Sequence, residues 1–175
     1  MTGDFIRSLT VLSILLLCLQ AKAQSVSDFL RQAGVREASQ DAAGALEIVE
    51  AGLAVHPNSA ALEDKAGFLL AVMRRYPEAV ERFESALRHS PGLAAAHYHL
   101  GIALWLQERR PEALAALQKA VTLGPETADY RFRLGSALND LGRASEAITH
   151  LRRAVSIRRP FVSTCPLPAW PMRCR

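Results

Sequence analysis

Apolar and small residues recur along this chain in blocks of helical length, and the blocks repeat every 34 residues. Four alanines mark the step, at Ala45, Ala79, Ala113 and Ala147. Four further sets of equivalent positions, or columns, repeat at the same spacing of 34 residues: Gly67, Gly101 and Gly135; Leu70, Leu104 and Leu138; Ala86, Ala120 and Ala154; Pro57, Pro91 and Pro125. A step shared by several columns indicates one supersecondary unit copied in tandem. Such units stack in a line and bury their apolar faces against one another.

Each unit contains two helix-length patterns. In the third unit, Leu100 and Leu104 share one face of a first helix, while Leu117 and Val121 share one face of a second helix. Gly101 lies on the first of these faces, and a residue that small lets two helix backbones approach closely. We therefore predict pairs of packed helices with tight contacts at the glycine and alanine columns.

Prolines recur at the helix starts and at the ends of these units. Pro77 and Pro111 lie where each second helix begins, and proline is tolerated in a first helical turn because the missing N–H has no partner there. Pro57, Pro91 and Pro125 end one unit and let the chain turn into the next. No strand pattern appears along the sequence, so the prediction is an all-α fold.

The period and the residue types resemble the tetratricopeptide repeat. In order along one repeat, that family's pattern consists of a large residue, a Leu-Gly pair, a second large residue, an alanine, a residue that is either aromatic or leucine, a second alanine, and a proline. The third repeat matches it in order: His97, Leu100, Gly101, Leu104, Ala113, Leu117, Ala120 and Pro125. The first repeat is the weakest, because Gln32, Arg36 and Gly52 depart from the pattern, and in the fourth Arg159 replaces the proline.

The resemblance covers residues 26–159 and implies a right-handed superhelical solenoid of about four helix-turn-helix repeats. The repeats are expected at about 26–59, 60–93, 94–127 and 128–159 within a domain of residues 24–159. The family is a general platform for binding proteins and peptides, so the resemblance implies the fold more sharply than the function.

The first 23 residues have the layout of a secretory signal. Arg7 precedes an apolar run from Leu9 to Leu19, and the small residues Ala21 and Ala23 then suit a signal peptidase. We predict a signal peptide over residues 1–23 that is cleaved after Ala23, and hence a periplasmic or secreted protein of the exported bacterial type. An uncleaved membrane anchor is the alternative, although the run is short for a span of about 20 residues.

Charge is uneven along the chain, whose formal net charge is +4. Basic residues concentrate after residue 127, and Arg152, Arg153, Arg158 and Arg159 give the chain a basic end. A solvated helix face is the favoured interpretation, and an anionic partner such as a lipid surface is the alternative. Nucleic acid is not expected as a partner of an exported protein.

Residues 160–175 contain four prolines and are predicted to be an irregular Pro-rich tail. Cys165 and Cys174 are the candidates for a disulfide, which an oxidising compartment permits. Helical solenoids normally end in a capping helix with a polar outer face. The pattern stops without one, so we expect an uncovered apolar face near Ala147, Leu151 and Ala154. The tail could cover this face, a second copy or a partner could pair with it, or the chain could be a truncated or frame-shifted piece of a longer repeat protein.

The resemblance places a ligand in a concave groove lined by the first helix of each repeat. The groove residues carried over from it are Asp64, Phe68, Tyr98, Ile102, Trp105, Phe132 and Asn139. This groove is apolar and aromatic in the middle, and Asp64, Asp129 and Asp140 are acidic points around it. It suits a peptide with apolar side chains and some Lys or Arg; the alternative is that the aromatic residues only pack neighbouring helices. Lys65 and Arg133 lie one position away from the expected face, so a clamp for a C-terminal carboxylate is not expected.

No catalytic site can be assembled from the sequence. His97 and His99 are two residues apart on a helix and point to different sides, so the histidines are interpreted as surface or interhelical residues. No phosphate-binding glycine loop and no Gly-x-Ser-x-Gly elbow is present in the sequence. We therefore predict a non-catalytic protein–protein interaction scaffold or adaptor without cofactor or metal. Two alternatives stay open: an N-terminal module of a larger exported enzyme or receptor, and a protein that self-associates through its uncapped C-terminal repeat.

Overall fold

The structure is a computed structural model that describes residues 24–158, and within this range the chain forms eight α-helices in four helical hairpins. The helices are α1 Val26–Ala38, α2 Ala42–Val55, α3 Ala60–Val72, α4 Tyr76–His89, α5 Ala94–Leu106, α6 Arg110–Leu123, α7 Ala128–Asp140 and α8 Ala144–Arg158. The predicted all-α fold of paired helices is confirmed. The predicted signal peptide, the Pro-rich tail and the cysteine pair lie outside the described residues.

The chain divides into two compact units at Leu123 and Gly124, the first with α1 to α6 and the second with α7 and α8. In the first unit each helix packs against the next along the chain, and α3 also contacts both α1 and α5. Within residues 24–158, none of the helices combines the length and the apolar character that a membrane span needs. The right-handed twist of the whole stack stays a prediction.

In the first unit, large side chains from the second helix of a hairpin pack against a glycine on the first helix of the same hairpin. A Cβ atom on Gly101 would lie 2.7 Å from Leu117 Cγ and 3.2 Å from the carbonyl oxygen of Ala113. A Cβ atom on Gly67 would lie 2.6 Å from the ring of Phe83. The distances of 2.7 and 2.6 Å are far below ordinary contact distance, which confirms that the glycine column allows close approach of the paired helices.

The first hairpin forms although its sequence departs from the repeat pattern. Gly52 occupies the column that holds alanine in the other repeats, and it is buried. A Cβ atom there would lie 2.9 Å from the ring of Phe29. The glycine at position 52 therefore leaves room for the ring of Phe29, and the apparent mismatch has a packing reason.

The second unit corrects one expectation. Ala147 and Ala154 are buried rather than uncovered, with 1% and 4% of their surface exposed. Leu151 and Ala147 pack against α7, since a Cβ atom on Gly135 would lie 2.7 Å from Leu151 Cγ. The prediction of an uncovered face is therefore wrong at Ala147 and Ala154, and Leu151 is half-buried against α7. The exposed large apolar side chains of α8 are Ile148 and Val155.

The turn inside each hairpin has one residue in the left-handed region, at the same step of 34. These residues are Gln40, Arg74, Glu108 and Gly142, with φ of 62°, 60°, 60° and 75°. In all four turns the N–H of the following residue donates to a carbonyl of the preceding helix, as from Arg143 to Leu138 at 2.9 Å. This is the usual hydrogen-bonded ending of a helix, for which glycine is the residue of lowest cost.

Replacing Gly142 by alanine is expected to destabilise the second unit by about 1 kcal/mol, because a Cβ atom disfavours left-handed backbone. Urea denaturation followed by circular dichroism measures the change. Gly92→Ala is the matched control, since Gly92 lies in a turn, has no atom within 4 Å of its Cβ position and does not have a positive φ. Equal stability of the two variants would show that φ at residue 142 does not limit stability.

The second helices start in a repeated way. An arginine just before or at the first turn pairs with a glutamate three residues on: Arg75 with Glu78, Arg109 with Glu112, and Arg143 with Glu146. The hydrogen bond from Arg75 lowers the pKa of the Glu78 carboxyl. Pro77 lies in the first turn of α4, as predicted. These pairs are exposed, so each adds little stability but helps to fix the position at which the helix begins.

Candidate functional site

An open apolar hollow of about 280 Å³ lies between α3 and α5 in the first unit. Its lining consists of Phe68, Ala71, Val72, Phe83, Tyr98, His99, Ile102 and Leu106. Val72 and Leu106 are 56% and 51% exposed, which is unusual for side chains of this size, whereas Phe83 is buried. The hollow therefore presents hydrocarbon to solvent around a buried aromatic ring.

Helical spacing explains why these side chains meet. Phe68 and Val72 are four residues apart on α3, and Tyr98, Ile102 and Leu106 follow one another at the same spacing on α5. Residues four apart lie on one face of a helix. Because α3 and α5 are the first helices of successive hairpins and contact each other, their two apolar faces form one surface.

His99 is the polar group of this lining, and Asp64 holds it in place. Its Nδ1 atom lies 2.8 Å from Asp64 Oδ1 across the α3–α5 contact. The imidazole ring also lies 5.7 Å from the ring of Phe68, 5.6 Å from that of Phe83 and 5.5 Å from that of Tyr98, between centroids. Asp64, expected from the sequence as an acidic point of the groove, is thus engaged by a neighbouring helix. The histidine is interhelical, as predicted.

Trp105 does not belong to the lining of the hollow. It is half-buried against the core of the first unit, and the guanidinium of Arg110 lies 4.2 Å from the centre of its ring. A cation over an aromatic face contributes about 0.5–1 kcal/mol when exposed. In this arrangement Trp105 packs the junction between α5 and α6.

The remaining predicted groove residues belong to the second unit. Phe132 and Asn139 are both exposed on α7. They are seven residues apart, and this spacing places them on one face of the helix. Asp129 forms an ion pair with Arg158 of α8. The structure thus brings Asp64, Phe68, Tyr98 and Ile102 together in the first unit and places Phe132 and Asn139 on the second.

Lys65, which lies beside the hollow, also has a partner within the first unit. Lys65 Nζ forms an ion pair with Glu37 of α1 and lies 5.0 Å from the centre of the Phe68 ring. Its charge is therefore balanced within the first unit. Lysine that is held in this way is a weaker anchor for a ligand carboxylate than a free one, because the existing pair would have to break.

A buried carboxylate on the other side of α3 was not anticipated from the sequence. Glu63 is 7% exposed, and it accepts hydrogen bonds from Arg82 Nη1 at 3.2 Å and from Ser85 Oγ at 3.0 Å. Arg82 also lies 3.6 Å from Glu50. The available signal was the repeat column itself, since a charged residue in a column that packs inside the hairpin requires a partner.

Among residues 24–158 there is no group of three or more His, Cys, Asp or Glu side chains arranged to hold a metal ion. Two other histidines of the first unit bond to the backbone. His56 Nε2 lies 2.9 Å from the carbonyl oxygen of Gln24, and His97 Nε2 lies 3.0 Å from that of Pro91. These two rings form hydrogen bonds with backbone carbonyls outside the helices.

Four tandem helical hairpins, two of which carry an open apolar surface on their first helices, define an all-α helical-repeat protein. A sequence model described as tetratricopeptide repeat matches residues 69–126 and again residues 107–162. The two matches together span more than half of the 175 residues. The chain belongs to the tetratricopeptide repeat family.

Solved structures of other repeat proteins share the fold. A crystal structure of MamA is 18% identical, with a TM-score of 0.69, and covers 81% of this chain and 82% of its own. MamA from Desulfovibrio magneticus RS-1 is 24% identical, with a TM-score of 0.68 and coverages of 78% and 77%. YrrB, described as a TPR protein with an unusual peptide-binding site, is 26% identical, with a TM-score of 0.64 and coverages of 76% and 69%. A search of curated protein sequences gave no match.

Proposed function

We propose that this chain is a non-catalytic scaffold that binds a protein or peptide segment in the apolar hollow between α3 and α5. The observation that carries the proposal is the exposure of Val72 and Leu106 at the edge of a surface that also includes Phe68, Tyr98 and Ile102. Contiguous exposed apolar surface with a concave shape is typical of an interaction site. Covering it with a partner releases about 25 cal/mol for each Å² of apolar surface removed from water.

The comparison with YrrB supports a peptide as the class of partner. YrrB is described as having a peptide-binding site, and its fold matches that of this chain over most of both proteins. The predicted signal peptide further suggests a place for the interaction. We therefore propose that the scaffold works in the periplasm or outside the cell, within an envelope assembly.

The geometry changes the kind of peptide that suits this site. The sequence favoured a partner with apolar side chains and some Lys or Arg, because Asp64 was expected to be open to it. Asp64 is instead held by His99, and Lys65 by Glu37. Apolar contact is therefore the main source of affinity in the first unit, and charge pairing contributes less.

Changing both Val72 and Leu106 to aspartate is expected to weaken partner binding at least about tenfold, because two charges would have to be buried against apolar groups. Both side chains are exposed, so the helix content should stay nearly unchanged. The measurement is affinity capture from the native host's envelope with the mature chain as bait, followed by mass spectrometry.

The control is Val35→Asp, which makes the same change at an exposed apolar residue of α1 that is not part of the hollow. A partner retained by the unchanged chain and by the control, but lost by the double variant, would support the proposal. A partner retained equally by all three baits would mean that the hollow is not the binding site.

A further inference from the structure

Asp64 determines which nitrogen of His99 carries the proton. An ionised carboxylate can only accept hydrogen bonds, so the contact of 2.8 Å requires that Nδ1–H donates to Asp64 Oδ1. A neutral imidazole has one donor nitrogen and one acceptor nitrogen. In the neutral ring the remaining nitrogen, Nε2, is therefore an acceptor with a lone pair.

This acceptor belongs to a surface that is otherwise almost entirely hydrocarbon. The ring of His99 lines the hollow, and within residues 24–158 its hydrogen bond to Asp64 is the one the structure records. When the imidazole is neutral, the Asp64–His99 pair carries the single negative charge of its carboxylate, whereas the nearby Lys65 is paired with Glu37. A ligand that fills this hollow meets apolar walls and one electron-rich nitrogen, so the complementary group is an apolar body with a hydrogen-bond donor.

We propose that the hollow binds an aromatic side chain that carries its own hydrogen-bond donor, with the indole of a tryptophan as the best match, and that His99 Nε2 accepts from its N–H. This inference rests on the proposed function. The volume of about 280 Å³ lies just below the range of roughly 300–1,000 Å³ that drug-sized ligands occupy, so it suits one large side chain. Tryptophan combines a large apolar ring with an N–H that requires a partner when buried.

The test compares two peptides that differ only in this donor. Each is an acetylated nine-residue alanine–serine peptide, with tryptophan at its centre in one and 1-methyltryptophan in the other. Both are titrated into the full mature chain while the methyl signals of Val72, Ile102 and Leu106 are followed by NMR. We expect the methylated peptide to bind about threefold to tenfold more weakly, because His99 loses its donor.

Two variants separate the hydrogen bond from the bulk of the added methyl group. In His99→Phe, which keeps a ring but has no acceptor, the two peptides should bind with nearly equal affinity. In His97→Phe, the same change at a ring that bonds to Pro91 and does not line the hollow, the preference should persist. The comparison on the unchanged chain stands even if His99→Phe does not fold.

The outcomes also separate this inference from the proposed function. Equal binding of the two peptides to the unchanged chain, or a preference that persists in His99→Phe, overturns the role of His99 and leaves the hollow as a binding site. If neither peptide binds while the capture experiment still depends on Val72 and Leu106, the tryptophan inference alone fails. If neither peptide binds and capture is independent of those two residues, both proposals fail.

Discussion

Gly101→Leu is expected to unfold the middle of the first unit, lowering the free energy of unfolding by more than about 3 kcal/mol. Even a Cβ atom at this position would lie 2.7 Å from Leu117 Cγ and 3.2 Å from the carbonyl oxygen of Ala113. The leucine of α6 can change rotamer, but the backbone carbonyl can move only if the whole helix moves. Urea denaturation followed by circular dichroism measures the loss.

Gly34→Leu is the matched control, because Gly34 also lies inside a first helix and has no atom within 4 Å of its Cβ position. There the change should stabilise slightly, by up to about 1 kcal/mol, since leucine favours helix more than glycine does. The two variants share the same chemistry and differ only in the available space. A denaturation curve of Gly101→Leu that matched that of the control would show that α5 and α6 are not packed in this register.

The repeating columns were enough to predict the helix pairs and the places where they touch. Gly101 and Ala113 stand in columns of small residues, and the structure brings both to the contact between α5 and α6. This success has a simple physical basis, since each hairpin solves the same packing problem with the same residues. The first hairpin shows the limit, because a column-by-column comparison records Gly52 as a mismatch and does not show that it makes room for Phe29.

The site was harder to predict because it depends on contacts between columns. Asp64 and Tyr98 share a column, being 34 residues apart, whereas the residue that Asp64 bonds is His99, one place further along. That pairing depends on the angle between α3 and α5, and a pattern of spacings along one chain does not contain this angle. Trp105 shows the same limitation, because it lies against Arg110 of α6 and does not line the hollow.

The expectation about the chain end failed for a reason that the sequence did contain. Ala147 stands in the same column as Ala113, and in the third hairpin that column faces the glycine of its own repeat. Ala147 faces Gly135 in the same way. The column therefore marks a contact inside a hairpin, and a residue in it is covered whether or not another repeat follows.

Arg82→Met is expected to destabilise the first unit by about 2–4 kcal/mol, because Glu63 would stay buried without its counter-ion. Glu63 accepts hydrogen bonds from Arg82 at 3.2 Å and Ser85 at 3.0 Å, and it is 7% exposed. Ser85 alone cannot balance a full charge. Arg88→Met serves as the control, since Arg88 is an exposed arginine of the same helix, and it should change stability by less than about 0.5 kcal/mol.

The double variant Glu63→Met/Arg82→Met decides what this pair contributes. Removing one partner of a buried ion pair leaves an uncompensated charge, whereas replacing both partners by apolar residues of similar size is often neutral or stabilising. We therefore expect the double variant to recover to within about 1 kcal/mol of the unchanged chain, with the Ser85 hydroxyl turning to a carbonyl of its own helix. A double variant as unstable as Arg82→Met would instead mean that the α3–α4 contact requires the polar network itself. In that case Glu63 would hold the pairing of these two helices through its hydrogen bonds, in a column where the two following repeats have His97 and Arg131.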